Sequence, residues 1–185
     1  MRVISGTARG KKLLSQEGLN TRPTLDRVKE ALFNIIQFNI ADSNVLDLFS
    51  GSGALGIEAL SRGAKYAVFC DNNKEAQNII EKNIDNTKQK EKSKIYKNDY
   101  LETLDILHKN KDKFDIIFLD PPYKKDFALI ALQKIVEYDL LTKEGIIVLE
   151  TNDANKRKEI ENINKIKIFD ERKYGKVILI FIRKE

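Results

Sequence analysis

Five short apolar runs, at residues 45–49, 67–70, 95–96, 116–119 and 146–149, recur through the middle of the chain, with segments of helical character between most of them. Those segments cover residues 54–61, 74–86, 100–108 and 126–138. Strands interleaved with helices at this interval build βαβ units on a parallel sheet. A run such as Ile116-Ile117-Phe118-Leu119, with no polar member, fits a central strand covered on both faces. The chain ends differently. Residues 165–170 and 176–183 are strand-like and joined by Glu171-Arg172-Lys173-Tyr174-Gly175, which leaves no room for a helix, so they should form an antiparallel hairpin. At the other end, residues 2–6 and 9–14 read as short strands separated by glycine-containing turns, a small hairpin. Apolar residues at Leu25, Val28, Leu32, Ile35 and Ile36 then predict a helix over 24–38 with Thr24 as its N-cap. The expected fold class is α/β: a mostly parallel, doubly wound, Rossmann-like sheet with an antiparallel C-terminal edge hairpin and a small N-terminal β-hairpin extension. We expect one domain over residues 1–185, with 1–23 a basic hairpin and arm.

The composition, 42% apolar and 33% charged, is that of a globular protein rather than a disordered one. No apolar run approaches the roughly 20 residues that span a bilayer, and Met1 to Gly6 lacks the apolar core of a signal peptide, so a cytoplasmic protein without membrane attachment is expected. The single cysteine, Cys70, follows Val68 and Phe69 and reads as a core position. Charge is uneven. Residues 1–29 hold seven Lys or Arg against Glu17 and Asp26, which is the whole net charge of +5. Such a stretch is either solvated surface or the footprint of an arm that contacts phosphates; Arg2, Arg9, Lys11, Lys12, Arg22 and Arg27 are its candidate nucleic-acid contacts.

The first apolar run passes into Ser50-Gly51-Ser52-Gly53-Ala54-Leu55-Gly56 and then a helix. Gly51, Gly53 and Gly56 match G-x-G-x-x-G, whose content is a tight turn, close approach of backbone to a ligand, and close helix packing. The pattern serves NAD and S-adenosylmethionine alike. Asp71, just past the second strand, is placed to accept both hydroxyls of an adenosine ribose, which still suits either cofactor. Asp99 ends the third strand, where it could meet an adenine amino group, cap the following helix, or both. Asp47, just ahead of the loop and expected to be partly buried, suits a cation carrying ammonium and sulfonium groups better than a pyrophosphate, which favours S-adenosylmethionine. Phe49, Asn72 and Tyr100 flank these positions and complete the expected cofactor site.

The most specific motif is Asp120-Pro121-Pro122-Tyr123, at the end of the fourth strand, where open α/β sheets collect their ligand chemistry. Consecutive prolines restrict the backbone and hold the Asp120 carboxylate and the Pro121 carbonyl as two acceptors at a set separation. Two acceptors match one NH2 group. An exocyclic base amine is a poor nucleophile because its lone pair is delocalised into the ring. Hydrogen bonds to both protons turn it out of plane and free the lone pair to attack a sulfonium methyl, with positioning as the main source of rate. Tyr123 offers a π face on which the target base can stack. The order glycine loop, acid, acid, Asp-Pro-Pro-Tyr after four successive strands is more telling than any one motif.

With these residues in view the chain resembles the RsmD-type family, methyltransferases of guanine N2 in 16S ribosomal RNA. The resemblance rests on Arg2-Val3-Ile4-Ser5-Gly6, Arg9-Gly10-Lys11-Lys12-Leu13, Arg22-Pro23-Thr24 with the segment from Asp26 to Asn34, the glycine loop extended to Arg62, and Asp120-Pro121-Pro122-Tyr123. It implies S-adenosylmethionine over Gly51 and Gly53, with Asp71 on the ribose, Asp99 near the adenine and Asp120 facing the guanine amine. It also implies small-subunit ribosomal RNA, within an assembling subunit, as the partner. We expect a monomer and no metal. An adenine-N6 methyltransferase shares the Asp-Pro-Pro-Tyr arrangement, but the N-terminal segments argue against it. A nicotinamide-dependent dehydrogenase would share the glycine loop but lacks its catalytic residues. The lone histidine, His108, reads as a surface helix end, and the lysine-rich segment 88–94 matches no motif and reads either as peripheral or as extra phosphate contact.

Overall fold

A computed structural model describes residues 1–15, 23–122 and 126–185, with the backbone alone at 23–25. Arg22 and Tyr123 therefore lie outside the described residues. The elements run α1 (Pro23–Ile35), β1 (Asn44–Asp47), α2 (Ala54–Ser61), β2 (Tyr66–Cys70), α3 (Lys74–Thr87), β3 (Ser93–Tyr96), α4 (Tyr100–Lys109), β4 (Phe114–Leu119), α5 (Phe127–Glu137), β5 (Leu141–Thr151), α6 (Lys156–Ile160), β6 (Ile166–Tyr174) and β7 (Val177–Lys184).

The strands form one seven-stranded sheet in the order β3-β2-β1-β4-β5-β7-β6. The pairs among β1 to β5 are parallel, while β5 with β7 and β6 with β7 are antiparallel. The chain therefore winds outward from β1 to β3, then returns to the other side of β1 with β4. That reversal opens a crevice at the carboxyl ends of β1 and β4, the place where open α/β sheets bind ligands.

Both faces of the sheet are covered, and the period of two along each strand sorts its side chains between them. Val45, Phe69, Ile116, Phe118, Val148 and Phe181 pack beneath α1, α2 and α3, whose Leu32, Phe33, Ile57 and Ile80 are buried. Leu46, Val68, Ile117, Leu119, Leu149 and Ile180 face α4 and α5 through Leu104, Leu107, Leu132 and Ile135. Double coverage explains why the central strands read as unbroken apolar runs.

Several boundaries differ from expectation for local reasons. Helix α1 begins at Pro23, so Thr24 lies inside its first turn instead of capping it; proline is favoured at that first position because its missing N–H would have no helical partner. The helix also stops at Ile35, and residues Gln37–Asn39 tighten into a 3-10 turn. Strand β1 ends at Asp47: Leu48 N–H makes the last ladder bond, to the Phe118 carbonyl of β4, before the chain turns into the loop. The N-terminal hairpin is present but short: one antiparallel bridge, Arg2 to Lys12, flanked by bonds from Val3 N–H to the Lys11 carbonyl and from Leu13 N–H to the Met1 carbonyl. The helix α6 had no counterpart in the sequence reading; with five residues it carries too little periodicity to register.

Helix α2 approaches the sheet closely because Gly56 has no side chain: a Cβ there would lie 2.4 Å from the Phe69 ring. Gly56→Ala should destabilise the protein by about 1–3 kcal/mol through overpacking, read as a lower urea midpoint. Adding Phe69→Leu should recover part of the loss. An unchanged midpoint in the single variant would mean that helix and strand have room to spare.

Candidate functional site

The crevice at the sheet reversal is a cavity of about 560 Å³, within the range of roughly 300–1,000 Å³ usual for small-molecule sites. Its walls bring together Asp47, Phe49, Gly51, Asp71, Asn72, Asp99, Tyr100, Asp120, Pro121 and Pro122. These come from the ends of four parallel strands, and they gather because each loop leaves its strand at the same edge. Gly53, the remaining expected cofactor residue, is the N-cap of α2 just behind the loop.

The glycine turn is stitched by side chains as well as by backbone. Gly51 and Gly53 have φ of +55° and +76°, in the left-handed region that favours glycine. Asp47, only 2% exposed, accepts a hydrogen bond from Gly56 N–H at 3.0 Å. Asp71 accepts one from Gly51 N–H at 2.9 Å and one from Asn73 N–H at 2.9 Å. Ser50 donates to the Asp47 carbonyl at 2.6 Å and accepts from Cys70 N–H at 3.0 Å, tying β1 to β2. The Gly51 N–H that a dinucleotide pyrophosphate would need is therefore already bound by a carboxylate. Two acids beside one loop favour a cationic ligand.

Asp99 caps α4 by accepting from Leu101 N–H at 2.9 Å, and its residue lines the cavity at the same time. Next to it, the rings of Phe49, Tyr100 and Phe127 form an apolar wall: Phe49 and Tyr100 centroids are 5.1 Å apart, Tyr100 and Phe127 5.2 Å, and Phe49 lies nearly parallel to Phe127 at 6.4 Å. A flat aromatic ligand would be held there by dispersion and by offset stacking.

The acids are tuned by the walls around them. Burial raises the Asp47 carboxyl to about 7, the Gly56 hydrogen bond opposes the shift, and the charge of Asp71 adds to it. Asp120 is reached by solvent within the cleft, yet the surrounding protein raises its pKa well above the ordinary carboxylate value, and the charges of Glu150 and Asp47 push it the same way. Burial also drives the Cys70 thiol up to about 12; its sulfur lies 3.1 Å from the Thr103 hydroxyl, as a core cysteine's would.

The N-terminal segment is clasped to α2 by a buried charge cluster. Glu58, fully buried, accepts from Ile4 N–H at 2.8 Å, Ser5 N–H at 3.0 Å and Arg62 Nε at 2.7 Å, and pairs with Lys29 Nζ at 3.2 Å. Lys29 Nζ also donates to the Arg2 carbonyl at 2.5 Å. Its pKa is lowered by burial, against the pull of Glu58. Ser61 adds a bond from Ala8 N–H at 2.9 Å and donates to the Ser5 carbonyl at 2.6 Å. Of the candidate nucleic-acid contacts, Arg2, Arg9, Lys11, Lys12 and Arg27 are exposed. Lys29 had counted toward the basic stretch, but it points inward. His108 lies away from the cavity, exposed and stacked on Tyr138 at 4.3 Å.

Sequence reading missed Glu58, Lys29, Phe127 and Glu150. Glu150 had a signal: it follows the fifth apolar run as Asp71 and Asp120 follow theirs. Glu58 had none, because a glutamate within a short helix looks like any surface residue.

The profile of the family described as Conserved hypothetical protein 95 matches residues 1–183. The chain belongs to that family. It is 41% identical over 156 residues to Ribosomal RNA small subunit methyltransferase D of Haemophilus influenzae, covering 82% of this chain and 78% of that one. The protein of the same name from Escherichia coli is 32% identical over 155 residues, covering 84% and 76%. Among solved structures, a hypothetical protein of Thermus thermophilus superposes with a TM-score of 0.80 at 26% identity, over 99% of each chain. The family match thus takes in the clasped N-terminal segment as well as the cavity.

The raised Asp47 carboxyl makes stability depend on pH. The native group keeps its proton up to about pH 7, while the unfolded one releases it near 3.8, so the native state binds more protons between those values. Stability therefore falls as pH rises through that window and levels off above it. The shift corresponds to a penalty on the order of 4 kcal/mol. Asp47→Asn retains an acceptor for Gly56 N–H without the charge. The ligand-free variant should be more stable than its parent above pH 7 and lose less stability between pH 4 and 7, leaving the share due to Asp120. Parallel urea-midpoint profiles for the two proteins would contradict the shift.

Proposed function

We propose that this protein transfers a methyl group from S-adenosylmethionine to the exocyclic N2 amine of a guanine in small-subunit ribosomal RNA. The observation that carries the reading is the convergence of Asp120-Pro121-Pro122 with Asp47, Asp71 and Asp99 on one cavity at the sheet reversal. The names of the relatives at 41% and 32% identity support the reaction and the class of RNA. The site fits the cofactor. A wall of carboxylates suits its two positive groups, the Phe49, Tyr100 and Phe127 rings suit its adenine, and Asp71 and Asp99, on the same wall, are the proposed partners of its ribose and adenine amine.

When bound, S-adenosylmethionine supplies an electrophilic methyl on a sulfonium. The chain's own part is to bind and to orient. Asp120 and the Pro121 carbonyl would hold the two amine hydrogens and leave the nitrogen lone pair free to face that methyl. The proton then lost from the amine passes to Asp120 or to water. Tyr123, outside the described residues, is the proposed stacking platform. Arg2, Arg9, Lys11, Lys12, Arg22 and Arg27 are the proposed phosphate contacts. The clasp on Glu58 makes most of this arm a fixed surface, suited to recognising folded RNA by phosphate and shape. We propose that it works in the cytoplasm, as a single chain, on RNA already within an assembling subunit; cavity and arm belong to the same chain.

Asp120→Asn should leave cofactor affinity within about threefold of the parent and lower the methylation rate by about 100-fold or more, the scale of losing one charge-stabilising group. Calorimetry and methyl transfer to ribosomal RNA measure the two separately. Equal loss of both would refute the division of roles. Independently, a cation entering beside Asp47 should draw its carboxyl toward ionisation. Cofactor binding at pH 7 should therefore release protons, seen as a dependence of binding heat on buffer ionisation enthalpy. Heat independent of the buffer would count against a cationic ligand at this carboxyl.

A further inference from the structure

The basic N-terminal arm is not the only cationic segment on its side of the molecule. Helix α3 ends at Lys88, which takes a left-handed turn at φ +58°, and Lys90–Lys92 follow as a 3-10 turn before β3. Lys88, Lys90 and Lys92 are exposed. In sequence they stand far from Arg9, Lys11 and Lys12, and the balanced count of residues 30–185, 26 basic against 26 acidic, hides them.

The fold brings the two segments together through a polar seam. Asn83, fully buried on α3, accepts from Leu14 N–H at 2.8 Å and donates to the Leu14 carbonyl at 3.0 Å and to the Ser52 carbonyl of the glycine loop at 2.8 Å. One turn on, Asn86 donates to the Lys12 carbonyl at 3.1 Å. Gln89, buried between two exposed lysines, reaches Thr7 at 3.4 Å. Buried amides of this kind need partners, and here the partners are the arm. The arm therefore lies along the end of α3, with Arg9, Lys11 and Lys12 beside Lys88, Lys90 and Lys92. Acids are sparse there: Asp85, 3.9 Å from Lys90, and Glu91. Among the described residues, the other five cations have no ion-pair partner. One end of this strip meets the cavity, since Ser15 and Ser52 line it.

We propose that Lys88, Lys90 and Lys92 join Arg9, Lys11 and Lys12 in one continuous phosphate-binding face, so that RNA held at the cavity extends along the arm and across the end of α3. This rests on the reading of RNA as substrate. Six fixed cations leading from a cavity mouth are complementary to a polyanion, and the Asn83, Asn86 and Gln89 bonds keep the two halves in register.

The test uses the full chain carrying Lys88→Gln, Lys90→Gln and Lys92→Gln, with labelled, deproteinised small-subunit ribosomal RNA as probe. Anisotropy titrations from about 0.05 to 0.2 M salt give the slope of log affinity against log salt, to which each phosphate contact adds roughly 0.7–0.9. The triple variant should lose about two units of slope. Lys→Arg at the same three positions should retain it. A charge-matched control toward the other edge of the sheet, Lys143→Gln on β5, Lys158→Gln on α6 and Lys167→Gln on β6, should also keep the parent slope. None of these side chains lines the cavity, so cofactor affinity should be unchanged and serves as the check on folding. An unchanged slope in the first variant, or an equal loss in the control, overturns the proposal and leaves the face to solvent or to an acidic protein. A parent that binds cofactor but binds neither this RNA nor an isolated small-subunit assembly intermediate overturns it as well, while a parent that binds no cofactor removes the methyltransferase reading itself.

Discussion

Helix α2 sits close to β2 because two carboxylates, a serine and a missing side chain all act on the turn between β1 and α2 and on the start of that helix. Asp47 holds Gly56 N–H, Asp71 holds Gly51 N–H, Ser50 bridges to Cys70, and Gly56 lets the Phe69 ring lie against the helix. Displacing any of these would tilt α2, and with it the two things α2 carries: the glycine edge of the cavity, and Glu58 with Ser61, which hold the N-terminal segment. A buried carboxylate such as Asp47 is poorly solvated, so the turn is assembled at some loss of stability in the empty protein. The field of that carboxylate is what a cation entering the cavity would meet, so the strain and the use of the site have one origin.

The N-terminal segment depends on α2 in a different way. Burying Glu58 is tolerable because every nearby donor is aimed at it: two backbone N–H groups, an arginine and a lysine. Removing one partner would leave a charge buried without compensation, so the cluster enforces a single path for residues 2 to 8. Lys29 also lines the cavity, so the cluster that clasps the arm forms part of the wall of the site. Asn83 repeats the theme on α3, joining Leu14 to Ser52 through one amide.

What was legible in the sequence follows from which physical signals are local. The strands and their order of acids could be read because double burial makes apolar runs and because each loop leaves at the same edge; Asp47, Asp71, Asp99 and Asp120 could all be placed. Asp99 was legible in both of its roles, as cap and as cavity residue, since N-capping is a nearest-neighbour effect. The strand ends and the N-terminal hairpin were less accurate. Residues 4 to 8 bond their backbone to Glu58 and Ser61, while Val3 and Leu13 N–H keep cross-strand bonds to the Lys11 and Met1 carbonyls, so the ladder that alternation suggests is cut short by bonds to a helix remote in sequence. Lys29 shows the same limit for charge: counting places it in a basic arm, and only the fold turns it inward toward Glu58.

Within one small molecule the cavity and its rim carry opposite charge, and the proposed chemistry needs both. Fields of exposed groups decay over about 8–10 Å at physiological salt, so lysines on the rim do not neutralise carboxylates inside a cleft of low polarisability. A phosphate approaching Asp47, Asp120 and Glu150 would be repelled more strongly the deeper it entered, whereas along Arg9, Lys11 and Lys12 it would be attracted. The nucleobase is the part of an RNA chain that carries no charge. On the proposed function, a cationic strip beside an acidic cleft would hold the backbone outside and leave the uncharged base free to enter. The same acids that draw in a positive methyl donor thereby help decide which part of the second substrate can reach it.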